Sequence, residues 1–384
     1  MTEDLNTECE IDLELGARAS DEVEVSVIIP TLNEEETIGI CIEKVMRVFK
    51  ECNIKGEIIV SDSSNDRTPE IARSMGAIVV KPDRKGYGYA YMFAFKYAKG
   101  KYIVMGDGDD TYDFLEMPKL LEPLRNGNAD LVIGSRFKGK IEKGAMPFLH
   151  RYIGNPLLTF FFNLFFKMSV SDVHCGFRAI KREALERLEL KTDGMEFASE
   201  MLLEACKKGL RIEEVPINYY RRKNPVSKLR SFHDGWRHMK FMLLNAPEYL
   251  FLYPGAAVFL AGVILIIASL FKIFIGYLPG VHSMIAGSLL TIVGYQTVFF
   301  NLFAKIIMRK NIPKILTLEK GATIGVALLV SGILYAGILV AQWVNSGFRQ
   351  LPTLEHDILA FTLIALGLQT YFSAFMLSVI AERL

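Results

Sequence analysis

The chain has 384 residues, 51% of them apolar, with a mean hydropathy of +0.25 and a net charge of +1. That average is too apolar for an ordinary soluble enzyme, and no basic stripe interleaved with aromatics marks a nucleic-acid surface. Five cysteines (Cys9, Cys41, Cys52, Cys175 and Cys206) form no Cys-x-x-Cys pair and no metal-ligand spacing, so they read as reduced cytosolic thiols.

Residues 1–22 are acidic (Glu3, Asp4, Glu8, Glu10, Asp12, Glu14, Asp21, Glu22) and lack an apolar core, which reads as a disordered leader without a secretory signal. Val25–Ile29 is a short β-branched run ended by Pro30, and Asn33 is expected to cap a helix opened by Glu34, Glu35 and Glu36. Strand candidates Glu57–Val60, Ala77–Val80, Lys101–Met105 and Ala129–Ile133 alternate with helical segments Thr68–Met75, Tyr87–Ala98 and Glu116–Leu124. Such alternation implies an α/β domain with a mainly parallel sheet, a nucleotide-binding architecture. Gly86-Tyr87-Gly88 follows a strand and opens a helix, as a dinucleotide fingerprint would, but Tyr91 stands where that motif needs its third glycine.

The run Asp107-Gly108-Asp109-Asp110 leaves the apolar segment Lys101–Met105. Open α/β sheets present their sites at the carboxyl ends of strands, and Mg2+ takes one or two carboxylates plus substrate phosphates. Plain turn chemistry is the alternative. Residues 147–166 are rich in Phe and Leu but interrupted by His150, Arg151, Asn155, Pro156 and Asn163, which suits a helix lying along a membrane interface. Residues 231–250, with Trp236, Arg237, His238, Lys240 and Tyr249, read as a second interfacial helix. His150, His174, His233 and His238 have no paired-ligand spacing.

Beyond this point, four nearly charge-free stretches follow: Leu252–Ile275, Met284–Phe303, Ala322–Ala341 and Ile358–Ile380. Each approaches the ~20 residues that span a bilayer. Lys305, Arg309, Lys310, Lys314 and Lys320 flank the second loop, against Lys272 and His282 near the first, so positive-inside bias places that loop, the first domain and both termini in the cytoplasm.

In order, Pro30-Thr31-Leu32-Asn33-Glu34, Asp62-Ser63-Ser64-Asn65-Asp66, Lys85-Gly86 and Asp107-Gly108-Asp109 resemble the nucleotide-sugar half of a family 2 glycosyltransferase of GT-A, Rossmann-like fold. The likeness continues through Gly134-Ser135-Arg136-Phe137, Asp172 to Arg178, Glu200, Glu214-Val215-Pro216-Ile217 and Ser227-Lys228-Leu229, the order of the polyprenyl-phosphate and dolichyl-phosphate mannose and glucose synthases. The resemblance implies a GT-A domain over 23–230, a juxtamembrane helix over 231–250 and a four-helix membrane domain over 251–384. It implies donor contacts from Pro30, Asn33, Glu34, Asp62, Asp66, Lys85, Gly86, Asp107 and Asp109, with Asp66 equally suited to capping the following helix. It also implies Mg2+ or Mn2+ on Asp107 and Asp109, and a lipid phosphate held by Arg136, Arg222, Ser227 and Lys228. Asp109, Arg136, Arg222 and Lys228 are then the catalytic set. Asp110 is expected to be a turn residue. Two departures bear on the donor: Ser61 precedes Asp62 where the family usually has a second aspartate, and Thr111 stands where mannose synthases often carry glutamine.

The expected reaction is inverting transfer of one hexose, from UDP-glucose or GDP-mannose, to polyprenyl or dolichyl phosphate at the cytoplasmic membrane face. The Gln-x-x-Arg-Trp motif of processive polysaccharide synthases does not occur. A lipid flippase or transporter with a non-catalytic soluble domain would require intramembrane charges that these spans scarcely carry.

Overall fold

The computed structural model describes residues 23–223, 231–308 and 317–383, and the chain divides into two compact units between Met242 and Leu243. The acidic leader, Ser227 and Lys228 lie outside the described residues.

The first unit is a seven-stranded sheet between helices. Its elements run β1 (Val25–Thr31), α1 (Ile38–Glu51), β2 (Gly56–Asp62), α2 (Thr68–Ser74), β3 (Ile78–Val80), α3 (Tyr87–Phe95), β4 (Tyr102–Met105), α4 (Met117–Arg125) and β5 (Leu131–Ser135). Then come α5 (Asn155–Phe166), β6 (Arg178–Lys181), α6 (Arg182–Leu185), α7 (Phe197–Lys207), β7 (Ile212–Pro216) and α8 (Ser231–Asn245). Alternation in β1 sends Val25, Val27 and Ile29 into one apolar layer and Ile28 into the other, as a strand covered on both faces requires. Ile38, Cys41, Ile42, Val45 and Val48 form the buried stripe of α1 at helical spacing.

Strand order is β3-β2-β1-β4-β6-β5-β7. β1 pairs in parallel with both β2 and β4, and β6 alone runs reversed, between β4 and β5. Chain order changes direction between β1 and β4, which is where open α/β sheets bind ligands. Pro30 does not end β1. Pairing with β4 stops at Ile28 opposite Met105, so the proline lies beyond that ladder while the strand continues to Thr31 along β2.

Asn33 does not cap α1. It sits in the left-handed region at φ 54°, its backbone N–H donates to Ser64 Oγ and its Oδ1 accepts from Asn65 N. The backbone N–H groups of Glu34 and Glu35 are spent on Thr68 Oγ1 and Asp66 Oδ2, so a turn occupies 34–37 and the helix opens at Ile38.

The second unit contains α9 (Tyr253–Leu270), α10 (Val281–Ile307), α11 (Leu318–Asn345) and α12 (Leu354–Glu382), all long and apolar enough to cross a membrane. The first span, with its leading π-helical turn, covers Glu248–Leu270 instead of 252–275. Lys272 turns the chain at φ 50° and its ammonium reaches Glu355 at 2.7 Å. The other three helices run past the hydropathy edges, since backbone hydrogen bonding does not stop where side chains become polar. Glycines set how closely they pair: a Cβ at Gly367 would lie 2.4 Å from Leu329 N, and one at Gly294 would lie 2.3 Å from Phe259 N. Ser288–Thr362 and Tyr295–Thr370 hydroxyl pairs link α10 to α12. Gly367→Ala forces backbone apart and is expected to cost about 1–3 kcal/mol, read as a lower melting temperature of the detergent-solubilised chain.

Candidate active site

Three strand ends meet at the change of direction in the sheet. Thr31 Oγ1 at the end of β1 donates to Asp62 Oδ1 at the end of β2 (2.7 Å), and Ser64 Oγ donates to the same oxygen (2.5 Å). Thr37 Oγ1 donates to Gly108 O (2.7 Å), tying the turn after β1 to the turn after β4. With the Asn33 and Glu34 bonds to 64–68, the three loops form one connected rim holding Pro30, Asn33, Glu34 and Asp62. Asp66 Oδ1 accepts from Thr68 N and Oγ1, an Asx turn just ahead of α2, whose N-cap is Arg67, and its Oδ2 accepts from Glu35 N.

Asp107 and Asp109 follow β4. Burial and the neighbouring Asp109 carboxylate push Asp107 up to about 7, and the hydrogen bond donated by the Tyr87 phenol to Oδ1 (2.9 Å) offsets this only in part. Asp109 Oδ1 accepts from Thr111 N (3.1 Å) and Thr111 Oγ1 (2.6 Å), and its Oδ2 accepts from Nε (2.9 Å) and Nη2 of Arg222. Asp110 adopts φ 60° and faces Lys44 Nζ (2.8 Å) and Lys223 Nζ (3.0 Å), as a neutralised turn residue.

Arg136 follows β5. Its Nε and Nη2 grip both oxygens of Asp172 at 2.7 and 2.8 Å, its backbone N–H adds a third bond, and the two side chains are 8% and 0% exposed. Backbone N–H groups of Ser171 and Asp172 donate to Glu214 Oε1, fixing that loop in turn. Thus the structure brings Arg222 onto the Asp109 carboxylate, whereas Arg136 is held by Asp172.

Lys85 is exposed, and Gly86 opens α3. The glycines there serve close packing: a Cβ at Gly86 would meet Asp193 O at 2.4 Å, and one at Gly88 would meet Thr192 O at 2.3 Å. That 191–193 loop is held by Glu200, whose carboxylate accepts from Lys191 N, Thr192 N and Thr192 Oγ1. The chain from Glu200 through this loop to α3 aims Tyr87 at Asp107. Gly176 completes the fit, since a Cβ there would press on the Tyr87 hydroxyl at 2.7 Å and on Asp107 Oδ2 at 3.2 Å.

Sequence reasoning gave no role to Tyr87, Lys44 or Asp172, because no spacing rule connects residues that meet only through the sheet. Nor did spacing connect His174 with His238, whose buried rings meet edge to face at 4.4 Å. Among the described residues, no group of three or more His, Cys, Asp or Glu side chains is arranged to hold a metal ion. The protein therefore offers a carboxylate pair, which fits a hard cation that takes its remaining ligands from a diphosphate and water.

A mainly parallel sheet with carboxylates at its change of direction, followed by membrane-spanning helices, defines a membrane-bound glycosyltransferase of GT-A fold. Residues 26–189 match glycosyl transferase family 2, and 309–381 match the glycosyltransferase family 2 C-terminal transmembrane region. The chain is 46% identical to the low-salt glycan biosynthesis hexosyltransferase Agl6 of Haloferax volcanii, over 93% of this chain and 89% of that protein. It is 36% identical to a dolichyl-phosphate hexose transferase of the same organism, over 55% of this chain and 89% of the other. A mycobacterial protein of known crystal structure shares the fold, with a TM-score of 0.50 at 22% identity over 61% of this chain and 77% of the other. This protein belongs to glycosyltransferase family 2 and is a multi-pass membrane enzyme.

Asp172→Ala leaves the Arg136 guanidinium buried without its counter-ion. The expected loss is roughly 3–5 kcal/mol of stability, measured by denaturation of the full-length protein.

Proposed function

We propose that the enzyme transfers one hexose, with inversion, from a nucleotide diphosphate sugar to a polyprenyl or dolichyl phosphate at the cytoplasmic face. The observation that carries this reading is the contact of Arg222, the cation at the start of the acceptor-side segment, with Asp109, one of the paired carboxylates at the end of β4. Donor-side and acceptor-side charges thus adjoin at one point. The names of the two Haloferax relatives, a hexosyltransferase and a dolichyl-phosphate hexose transferase, support the same chemistry.

Asp107 and Asp109 would hold Mg2+ or Mn2+, which supplies neutralisation of the departing diphosphate. The Tyr87 phenol keeps Asp107 oriented, and Thr111 does the same for Asp109. Asp62, with the backbone at Pro30, Asn33 and Glu34, forms the wall on which the donor's base would rest, with Lys85 and Gly86 toward the sugar. The donor would be UDP-glucose or GDP-mannose.

The acceptor phosphate is already an anion, so it needs cations and no general base. Arg222 and Lys228 would bind it, with Ser227 adding a hydroxyl, while Arg136 is taken up by its bidentate pair with Asp172. A phosphate oxygen attacks the anomeric carbon as the bond from that carbon to the diphosphate oxygen breaks, and a single displacement inverts the centre.

The membrane supports the choice of acceptor. Phe148, Leu149, Tyr152, Ile153, Leu157 and Phe160 are exposed at helical spacing, while Thr159 and Phe162 on the other side of α5 are buried. This stripe suits the boundary between headgroups and acyl chains.

Asp109→Ala should abolish transfer to polyprenyl phosphate while the protein remains in the membrane fraction; retained full activity would remove Asp109 from the metal site. A carboxylate binds metal only when deprotonated, so with Asp107 near 7 Mn2+ affinity should rise with pH up to about 7 and level off above it. Titrating Mn2+ binding from acid to neutral pH checks this, and a profile flat below 7 would contradict it.

A further inference from the structure

Asp109 is saturated. A carboxylate offers about four lone-pair positions. Here Thr111 N and Oγ1 occupy two on Oδ1, while Arg222 Nε and Nη2 occupy two on Oδ2. A cation can therefore take Oδ2 only if the guanidinium leaves, and a divalent ion beside an unmoved Arg222 would face like-charge repulsion. Next along the chain, Lys223 is spent in the same way on Asp110 Oδ2 at 3.0 Å. The start of the acceptor-side segment is thus fastened to the turn after β4 by two ion pairs, one of them on the proposed metal ligand.

We infer that the Arg222–Asp109 salt bridge is a displaceable lock that couples metal binding to acceptor-phosphate binding. This rests on the reading of Asp109 as a metal ligand and Arg222 as an acceptor cation. Metal at Asp109 releases the guanidinium from that carboxylate for a phosphate, with Glu34 Oε1 still 3.9 Å from Nη2; a phosphate on Arg222 exposes Asp109 Oδ2 for metal. Each ligand opens the bridge that the other needs open, so by linkage each raises the other's affinity by the same factor. The acceptor cation is then presented fully only when the metal site is loaded, which keeps an empty donor site from capturing lipid phosphate.

The test titrates Mn2+, followed by the electron paramagnetic resonance of the free ion, into full-length protein in nanodiscs with and without farnesyl phosphate. In the wild type, farnesyl phosphate should tighten Mn2+ on the order of tenfold, about 1.4 kcal/mol. Arg222→Met should bind Mn2+ more tightly than wild type without phosphate and lose the enhancement, with Arg222→Gln as a second variant should the first not fold. Lys223→Met removes an equal charge from Asp110 and should keep the enhancement. The inference is overturned if both Arg222 variants bind Mn2+ no better than wild type, if the phosphate effect survives in them undiminished, or if Lys223→Met reproduces their behaviour. Asp109→Asn separates the two levels. If it leaves Mn2+ affinity unchanged, the metal assignment itself fails; if it loses Mn2+ while the Arg222 variants behave as wild type, only the coupling fails.

Discussion

Three carboxylates within four positions, Asp107, Asp109 and Asp110, are gathered at the end of a buried strand, and much of the catalytic domain answers to that concentration of negative charge. Like charges at this distance cannot all ionise in a low dielectric without compensation. The compensation comes from separate elements: Tyr87 from α3, Lys44 from α1, and Arg222 with Lys223 from the segment after β7. Each of these elements is thereby fixed around the turn after β4. Asp107, whose side-chain partner among the described residues is the neutral Tyr87 phenol, is pushed up to about 7 by burial and the Asp109 carboxylate, and so gains from a bound cation.

The same economy of charge separates the two arginines that the sequence placed together. Arg136 is fully matched by Asp172 in a buried bidentate pair, so its positive charge is structural first. Arg222 is only half-buried, and its contact is with a carboxylate proposed to have another use. Of the two, Arg222 can exchange partners at lower cost, because Arg136 would leave a wholly buried anion behind.

Much of this was legible in the residues. The β-branched runs mark the strands β1 to β5 and the alternation with helices, and the carboxylate spacing after Met105 marks the end of β4 as the candidate site. What the pattern leaves out is tertiary: Asn33 reads as a cap from its type and position, but its side chain is drawn to Asn65 on a neighbouring loop. Tyr87 carries no role in the sequence pattern, where it stands between two glycines, although its phenol reaches Asp107 twenty residues on, because only the parallel sheet brings the start of α3 beside the end of β4. The partner of Arg136 was hidden for the same reason, Asp172 standing 36 residues away. Hydropathy found all four spans but misplaced the first, since Lys272 ends it by turning back to Glu355.

Membranes containing the protein, supplied with polyprenyl phosphate and a panel of labelled nucleotide sugars, should yield a lipid whose mass shows a single hexose per phosphate, formed from one donor of the panel and lost on chelation of divalent metal. A polymeric product, or transfer that chelation leaves untouched, would contradict the account.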